Sequence, residues 1–277
     1  MNLEDIRVAV VRIEGTNCED ESFMAFKRLG ADPELVHLKQ LTGDSSNTRK
    51  LEDYHVLMVP GGFSAGDYVR AGAIFSARIK SSIGKDLQKF VEAGYPVLGI
   101  CNGFQILVEL GLLPGLGAVM TDRPEAVLAT NNSDKFECRP SILKHVKKTN
   151  RVFTEKMGFG ELFTIPSAHA EGKFVLPEEK EEEMLDQMVK NDQIVFQYVR
   201  PDGSKADYPF NPNGSVMDIA GITNPMGNVM GMMPHPERVF HRTTAPDWTR
   251  NPHIDPGEIG DGWYLFSSLV DYVSSHF

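Results

Sequence analysis

The sequence predicts an α/β fold, with a mostly parallel central sheet flanked by helices on both faces and a β-hairpin-rich extension. Short runs of consecutive apolar residues recur along the first part of the chain, as in strands that are covered on both faces. Segments with apolar residues at helical spacing lie between these runs, and this alternation is typical of parallel sheets. Because such sheets bind ligands at the carboxyl ends of their strands, we expect functional residues directly after strands.

Strands and helices are expected to alternate from the amino terminus. The strands are expected at 8–11, 56–59 and 97–100, and the helices at 19–29 and 85–93. The first helix shows the pattern through Phe23, Phe26 and Leu29, which recur every third residue. The first two strands lead into glycine-containing turns, and the third leads directly into Cys101.

The second half of the chain is richer in strand and turn signals. An apolar strand at 194–199 is followed by turns at 201–203 and 211–214, which predicts hairpins that extend the same domain. The dense charge run at 178–183 is typical of a solvated helix or loop face, and no chemistry is assigned to it. No internal repeat marks a boundary, so we expect a single domain over residues 1–277.

Composition excludes several classes of protein. A hydrophobic content of 41% over 277 residues is that of a globular protein with a sizeable core. The net charge of -10 argues against a nucleic-acid partner, and the absence of a long apolar run argues against a membrane partner. Three cysteines at irregular spacing argue against a disulfide framework or a four-ligand zinc site, and a reducing cytoplasm fits them best.

The segment around Cys101 has the pattern of a nucleophile elbow, in which a buried strand turns sharply into a helix. Gly99 and Gly103 stand two residues on either side of Cys101, where larger side chains would collide. A sulfur at a helix N-terminus favours the thiolate, which is the form that attacks carbonyl carbon. The alternative is that Cys101 is a small buried apolar residue, as most free cysteines are.

The segment His235-Pro236-Glu237 offers a base together with the group that orients it. Pro236 disfavours the helical region for His235, and in an extended chain residues two apart point to the same side. Glu237 could then fix the imidazole tautomer, leaving the other ring nitrogen to exchange a proton with a thiol. A capped turn with a surface ion pair is the alternative for this short motif.

The glycine-rich loop that begins at Gly61 follows the strand at 56–59 and could supply oxyanion donors. The expected donors are the backbone amide of Asn102 and one from Gly62 or Phe63. An ordinary turn or a phosphate-binding loop is the alternative, although the sequence lacks the lysine-bearing phosphate-loop motif.

Taken together, these segments resemble the class I, triad-type glutamine amidotransferases, and the wider motif set resembles the family of glutaminase subunits of phosphoribosylformylglycinamidine synthase. The resemblance runs from Val8 to about Arg238. Its motifs, in order, are GGFSAGDYVRAGAI at 61–74, GICNGFQIL at 99–107, NNSDKFECR at 131–139, IPSAHAEGKF at 165–174, YPFNPNGS at 208–215, IAGITN at 219–224 and MPHPER at 233–238.

The resemblance implies roles for residues and partners. It makes Cys101 the nucleophile, His235 the general base and then acid, and Glu237 the orienting group. It implies a glutamine pocket lined by three further residues, which are Gly61, Gln105 and Phe136. The implied substrate is L-glutamine. The implied partners are a synthetase subunit and a small accessory subunit, and residues 169–172 are expected to lie near the face that meets the synthetase. No cofactor or metal is expected in this chain, whereas ATP and magnesium are expected on the synthetase.

The sequence departs from the family pattern at three places. Residues 168–172 read AHAEG where the family has AHGEG, Pro140 stands where tryptophan is common, and the acidic run and the segment after Arg238 lengthen the chain. None of these touches the expected triad. The alternatives are a glutaminase that serves another synthetase, a stand-alone cysteine amidohydrolase and a non-enzymatic regulatory binder.

Overall fold

A computed structural model describes residues 1–250, 255 and 257–277. The strands are β1 (Arg7–Arg12), β2 (Asp32–His37), β3 (Val56–Val59), β4 (Val97–Ile100), β5 (Val127–Thr130), β6 (Glu137–His145), β7 (Leu162–His169), β8 (Glu171–Val175), β9 (Ile194–Tyr198), β10 (Ile219–Thr223) and β11 (Val229–Met232). The α-helices are α1 (Glu19–Arg28), α2 (Leu38–Thr42), α3 (Ala73–Glu92), α4 (Asn102–Glu109), α5 (Glu181–Lys190) and α6 (Trp263–His276).

Nine strands form one sheet in the order β2-β1-β3-β4-β11-β10-β9-β6-β7, and β5 pairs with β8 in a separate two-stranded sheet. The pairings from β2 to β11 are parallel. The pairings from β11 to β7 are antiparallel, so the expected extension continues the same sheet. The prediction of an α/β fold with a parallel region and a hairpin-rich extension is confirmed.

Helices cover both faces of the parallel region. The connection from β1 to β2 runs along the sheet in the opposite direction to the connection from β3 to β4. Because parallel crossovers are right-handed, α1 and α3 lie on opposite faces. On one face α1 packs against α6, where the rings of Phe26 and Phe266 meet edge to face with centroids 5.2 Å apart. On the other face α3 packs against α4.

The predicted helix at 85–93 is wrong at its start, because α3 begins at Ala73. Phe75, Ile79 and Ile83 are buried and recur every fourth residue, so the missed part carries a helical pattern. Gly84 obscured this pattern, since glycine weakens a helix. The nearest atom to a Cβ built at Gly84 would be 3.6 Å away, so the position has room for a side chain and the helix runs through it.

The strand, the first turn and the charge run that were predicted in the second half agree with the structure, whereas residues 211–214 do not form a hairpin turn between paired strands. The strand expected at 194–199 is β9, and the turn at 201–203 is closed by the bond from Arg200 N to Ser204 O and an antiparallel bridge between Val199 and Lys205. The charge run at 178–183 is largely exposed and covers the start of α5, where acidic side chains interact favourably with the helix dipole.

The carboxyl-terminal segment has a structural role that the sequence did not reveal. α6 buries Leu265, Phe266 and Leu269 in the core. Just before it, a Cβ built at Gly262 would lie 1.8 Å from the carbonyl oxygen of Pro236, so α6 starts against the segment that carries His235. The single-domain prediction also spans residues 251–254 and 256, which lie outside the described residues, and it stays a prediction. No helix in the described ranges is long and apolar enough to cross a membrane.

Candidate active site

Cys101 stands at a sharp turn between β4 and α4. Its backbone has φ 53° and ψ -108°, a conformation that costs roughly 1–3 kcal/mol for a residue with a side chain. The turn is held by two hydrogen bonds, from Cys101 N to Met232 O at 2.8 Å and from Gln105 N to Cys101 O at 3.1 Å. Such strain is concentrated at functional sites, and it fits the elbow that the sequence predicts.

Two glycines allow this turn to form. A Cβ built at Gly103 would lie 1.9 Å from Val59 O, and one at Gly99 would lie 2.7 Å from Gly103 O. Neither position has room for a side chain, because α4 passes directly over β3 and β4. The steric reason given for the glycine spacing around Cys101 is therefore confirmed.

His235 reaches the elbow because β11 lies beside β4 in parallel register. Met232 pairs with Ile100, so the two strands end together, and His235 and Cys101 follow them at the same edge of the sheet. A Cβ built at Gly61 would lie 2.8 Å from His235 Cε1 and 3.4 Å from Cys101 Cβ. Gly61 therefore separates the imidazole from the elbow, and its lack of a side chain allows their approach.

Glu237 holds the imidazole of His235. The ring nitrogen Nδ1 lies 2.6 Å from Glu237 Oε1, and the side-chain exposures of His235 and Glu237 are 2% and 0%. His235 has a non-helical backbone, with φ -105° and ψ 87°, as expected for a residue before proline. The carboxylate therefore fixes one edge of the ring, and Nε2 has no hydrogen-bond partner in the described part of the chain.

The charge of His235 depends on its neighbours. Burial alone would lower its pKa, but the Glu237 carboxylate and the Cys101 and Cys18 side chains act against burial and raise the pKa well above its ordinary value. The site therefore favours an imidazolium close to the Cys101 sulfur. This is the charge state needed to stabilise a thiolate and later to donate a proton.

A second thiol, that of Cys18, lies close to the same imidazole. Its Sγ is 3.9 Å from His235 Nδ1, accepts a hydrogen bond from Arg238 Nη2 at 3.1 Å and donates one to Asn17 Oδ1 at 3.2 Å. Cys18 is fully buried and does not line the pocket, whereas Cys101 does. Because the Nδ1 edge is already bonded to Glu237, Cys101 is the thiol placed to meet a substrate.

Cys18, His235 and Glu237 also have the ligand types of a metal site. One ligand atom from each lies within 4.8 Å of the other two. However, His235 Nδ1 is engaged by Glu237, and the Arg238 guanidinium contacts the Cys18 sulfur. A metal ion would have to break the first contact and share the site with a cation, so the donor set fits the His–Glu pair better than a metal.

A pocket of about 50 Å³ opens at the Cys101 sulfur. It is lined by Gly62, Phe63, Asp67, Ala71, Cys101, Gln105, Phe136, Ala168, His169, Ala170 and Glu171. Of the expected glutamine contacts, Gln105 and Phe136 line the pocket, whereas Gly61 lies behind it against His235. The rings of Phe63 and Phe136, with centroids 6.4 Å apart, stand together in this wall.

The expected oxyanion donors are not equivalent. The N–H of Phe63 donates to Gly15 O at 2.8 Å, so it is occupied, and Phe63 offers the pocket its side chain instead. The prediction that the Phe63 amide is an oxyanion donor is therefore wrong, and Gly62 supplies the remaining amide of this stretch. Asn102 begins α4, where the first N–H groups of a helix lack helical partners. The oxyanion role of Gly62 and Asn102 stays a prediction.

Sequence reasoning missed part of the pocket wall. Asp67 belonged to a motif but had no assigned role, and residues 169–172 were assigned to the face that meets a synthetase. In the structure Ala168, His169 and Glu171 line the pocket, and Ala168 O accepts a hydrogen bond from Cys101 Sγ at 3.6 Å. These residues lie where β7 turns into β8. The IPSAHAEGKF motif was the available signal, but its position beside Cys101 depends on the sheet order.

Comparisons with known proteins place the chain in a family. The sequence model of one protein family, the CobB/CobQ-like glutamine amidotransferase domain, matches residues 5–273. The phosphoribosylformylglycinamidine synthase subunit PurQ of Archaeoglobus fulgidus is 50% identical, with 99% of each chain covered. The subunit of the same name from Picrophilus torridus is 44% identical, with 93% of this chain and 96% of the relative covered.

A solved structure agrees with these sequence relatives. A chain in the structure of PurLQS from Thermotoga maritima superposes with a TM-score of 0.71 at 32% identity, covering 97% of this chain and 99% of that one. The match includes nearly the whole length, so the similarity is not limited to the elbow. The chain belongs to the CobB/CobQ-like glutamine amidotransferases and, within them, to the family of PurQ subunits of phosphoribosylformylglycinamidine synthase.

Proposed function

We propose that this chain is the glutaminase subunit of phosphoribosylformylglycinamidine synthase. It hydrolyses glutamine to glutamate and ammonia and delivers the ammonia to a synthetase subunit. The synthetase uses it to convert formylglycinamide ribonucleotide to formylglycinamidine ribonucleotide in purine biosynthesis. Relatives that match over nearly the full length support the assignment. The observation that carries it is the buried His235–Glu237 pair beside a strained cysteine that lines a pocket.

The first half-reaction forms a thioester. The Cys101 thiolate attacks the side-chain amide carbon of glutamine, and the N–H groups of Gly62 and Asn102 stabilise the resulting oxyanion. The imidazolium of His235 donates a proton to the amide nitrogen, and the carbon–nitrogen bond breaks to release ammonia. Glu237 holds the Nδ1 proton throughout, so the proton that moves is the one on Nε2.

The second half-reaction regenerates the thiolate and the imidazolium. The neutral imidazole of His235 takes a proton from water, which attacks the glutamyl thioester at its carbonyl carbon. Collapse of the tetrahedral intermediate expels the Cys101 sulfur and yields glutamate. A single imidazole therefore acts as acid and then as base, which requires the fixed tautomer that Glu237 supports.

The ATP-dependent step belongs to the partner. The sequence contains no lysine-bearing phosphate loop, and we assign ATP and magnesium to the synthetase subunit. A small accessory subunit is a further proposed partner. We assign the complex to the cytoplasm, because the chain has three irregularly spaced cysteines, one of which must stay reduced to act as a nucleophile.

The test is to reconstitute the chain with the purified synthetase and measure product formation from glutamine and, separately, from ammonium salt. Replacement of Cys101 by Ala is expected to abolish glutamine-dependent synthesis, with a loss on the order of a millionfold, and to leave ammonia-dependent synthesis intact. Glu179→Gln, in the exposed charge run, is the matched control. Glutamine-dependent synthesis by the Cys101 variant would refute the proposal. Glutamine hydrolysis that is the same with and without the synthetase would favour a stand-alone amidohydrolase.

A further inference from the structure

One wall of the pocket beside Cys101 is made of hydrogen-bond acceptors. Asp67, His169 and Glu171 line it, and no lysine or arginine is among the described residues that line the pocket. The nearby guanidinium of Arg70 is committed elsewhere, since it makes two hydrogen bonds of 2.6 Å to the carboxylate of Glu109. The imidazolium of His235 is likewise paired with another carboxylate, that of Glu237. The wall therefore keeps a net negative charge.

His169 contributes a free acceptor to this wall. Its Nδ1 lies 3.1 Å from Asn131 Oδ1, and that oxygen also accepts a hydrogen bond from Gly172 N. Nδ1 is therefore the protonated nitrogen. Burial and then the charge of His235 lower the pKa of His169 to about 4, so the ring is neutral and Nε2 carries a lone pair. His169 is only 3% exposed, and Nε2 has no hydrogen-bond partner in the described ranges.

The two carboxylates also keep acceptor capacity. Asp67 Oδ1 is buried and has no hydrogen-bond partner among the described residues. Glu171 Oε2 accepts a hydrogen bond from Ala71 N at 3.1 Å, which orients the carboxylate and leaves its other oxygen available. The residue before Asp67 in this loop is Gly66, and both have positive φ, so the backbone is bent to present the carboxylate at this position.

We propose that Asp67, Glu171 and His169 form the subsite that binds the α-ammonium group of glutamine. The proposal rests on the proposed function, because it takes glutamine as the substrate. An ammonium group carries three N–H donors and a positive charge, and it matches a wall with two carboxylates and a lone pair. The α-carboxylate of glutamine would be repelled by the same wall, so it points away from it, towards the mouth of the pocket.

The test uses the complex with its synthetase and two substrates. 4-Carbamoylbutanoate has the carboxamide and the carboxylate of glutamine but lacks the ammonium group. The wild-type complex is expected to show a kcat/KM at least about tenfold lower for this analogue than for glutamine. Asp67→Asn and Glu171→Gln keep the shape and the acceptor oxygen but remove the charge. Each is expected to raise KM for glutamine about tenfold to a hundredfold. KM for the analogue is expected to stay within about twofold of the wild-type value.

Each outcome decides between the two proposals. If the wild-type complex does not hydrolyse glutamine, the proposed function itself is refuted. Wild-type complex that hydrolyses glutamine and the analogue equally well would overturn the subsite alone, whatever the variants do. Variants that lower kcat/KM for both substrates equally would also overturn it, because the carboxylates would then have a structural role. Glu179→Gln is the charge-matched control and is expected to leave both substrates unchanged.

Discussion

Replacement of Glu237 by Gln tests how the active site controls His235. Glu237 Oε1 lies 2.6 Å from His235 Nδ1, and both side chains are almost fully buried. Hydrogen bonds to charged groups contribute roughly 1.5–3 kcal/mol, which corresponds to a rate loss of about tenfold to 150-fold. If the substituted amide also selects the wrong imidazole tautomer, the loss extends to about ten thousandfold, as for the corresponding change in a serine protease.

The direction of the pH effect follows from the same contact. Burial lowers the pKa of His235, and Glu237 is the first of the groups that raise it. Removing the carboxylate therefore lowers this pKa, so the imidazolium is lost at a lower pH and the basic limb of the activity profile moves down. Glu237 does not line the pocket, so KM for glutamine is expected to change little.

The assay for this change is glutamine-dependent synthesis by the complex across pH, with ammonia-dependent synthesis as the internal control. The variant should lose kcat with glutamine and keep its rate with ammonia. A kcat within twofold of the wild type, or an effect confined to KM, would contradict the assigned role of Glu237.

Three further predictions concern stability. Gly103→Ala should destabilise the protein by about 3 kcal/mol, because the new Cβ would lie 1.9 Å from Val59 O. Gly84→Ala should instead stabilise it by up to about 1 kcal/mol in thermal unfolding, because its Cβ would make only ordinary van der Waals contacts, the nearest at 3.6 Å. Burial and the charge of Glu171 raise the pKa of Asp67 to about 6. The ionised carboxylate therefore destabilises the folded state, and this destabilisation grows as the pH rises from about 4 to 6. Asp67→Asn should therefore raise the melting temperature at pH 7.5 and leave it unchanged below pH 4. Phe266→Ala should cost about 3–5 kcal/mol in denaturant unfolding, because the ring is fully buried against Phe26. An unchanged unfolding midpoint for Gly103→Ala or Phe266→Ala, or a pH-independent effect of Asp67→Asn, would contradict the packing and charge assignments.

Local patterns predicted the elbow and the His–Glu pair well. The glycines around Cys101 and the proline after His235 constrain the chain within a few residues, so their effect could be argued without tertiary structure. The adjacency of Cys101 and His235 is different, because it depends on β11 lying beside β4 in the sheet. The family resemblance implied that the two residues act together, but neither it nor the periodicity predicted the strand order.

What the sequence did not predict depends on contacts between distant segments. His169 and Glu171 enter the pocket through the turn between β7 and β8, and the alternating polar and apolar pattern there does not show which side faces Cys101. The Phe63 amide is occupied by Gly15 O, a pairing that joins two loops. Cys18 contacts His235 and Arg238 across more than two hundred residues, and its sequence neighbours gave no sign of it.

The identity of the nucleophile can be measured directly, because two thiols lie near His235 and only one can carry the glutamyl group. The complex is mixed with glutamine and quenched in acid during turnover. It is then digested, and the masses of its peptides are measured by mass spectrometry. In the wild-type protein a glutamyl adduct is predicted on the peptide that contains Cys101. The Cys18→Ser variant should still form this adduct, and the Cys101→Ala variant should not. An adduct on the Cys18 peptide, or turnover by Cys101→Ala, would contradict the account.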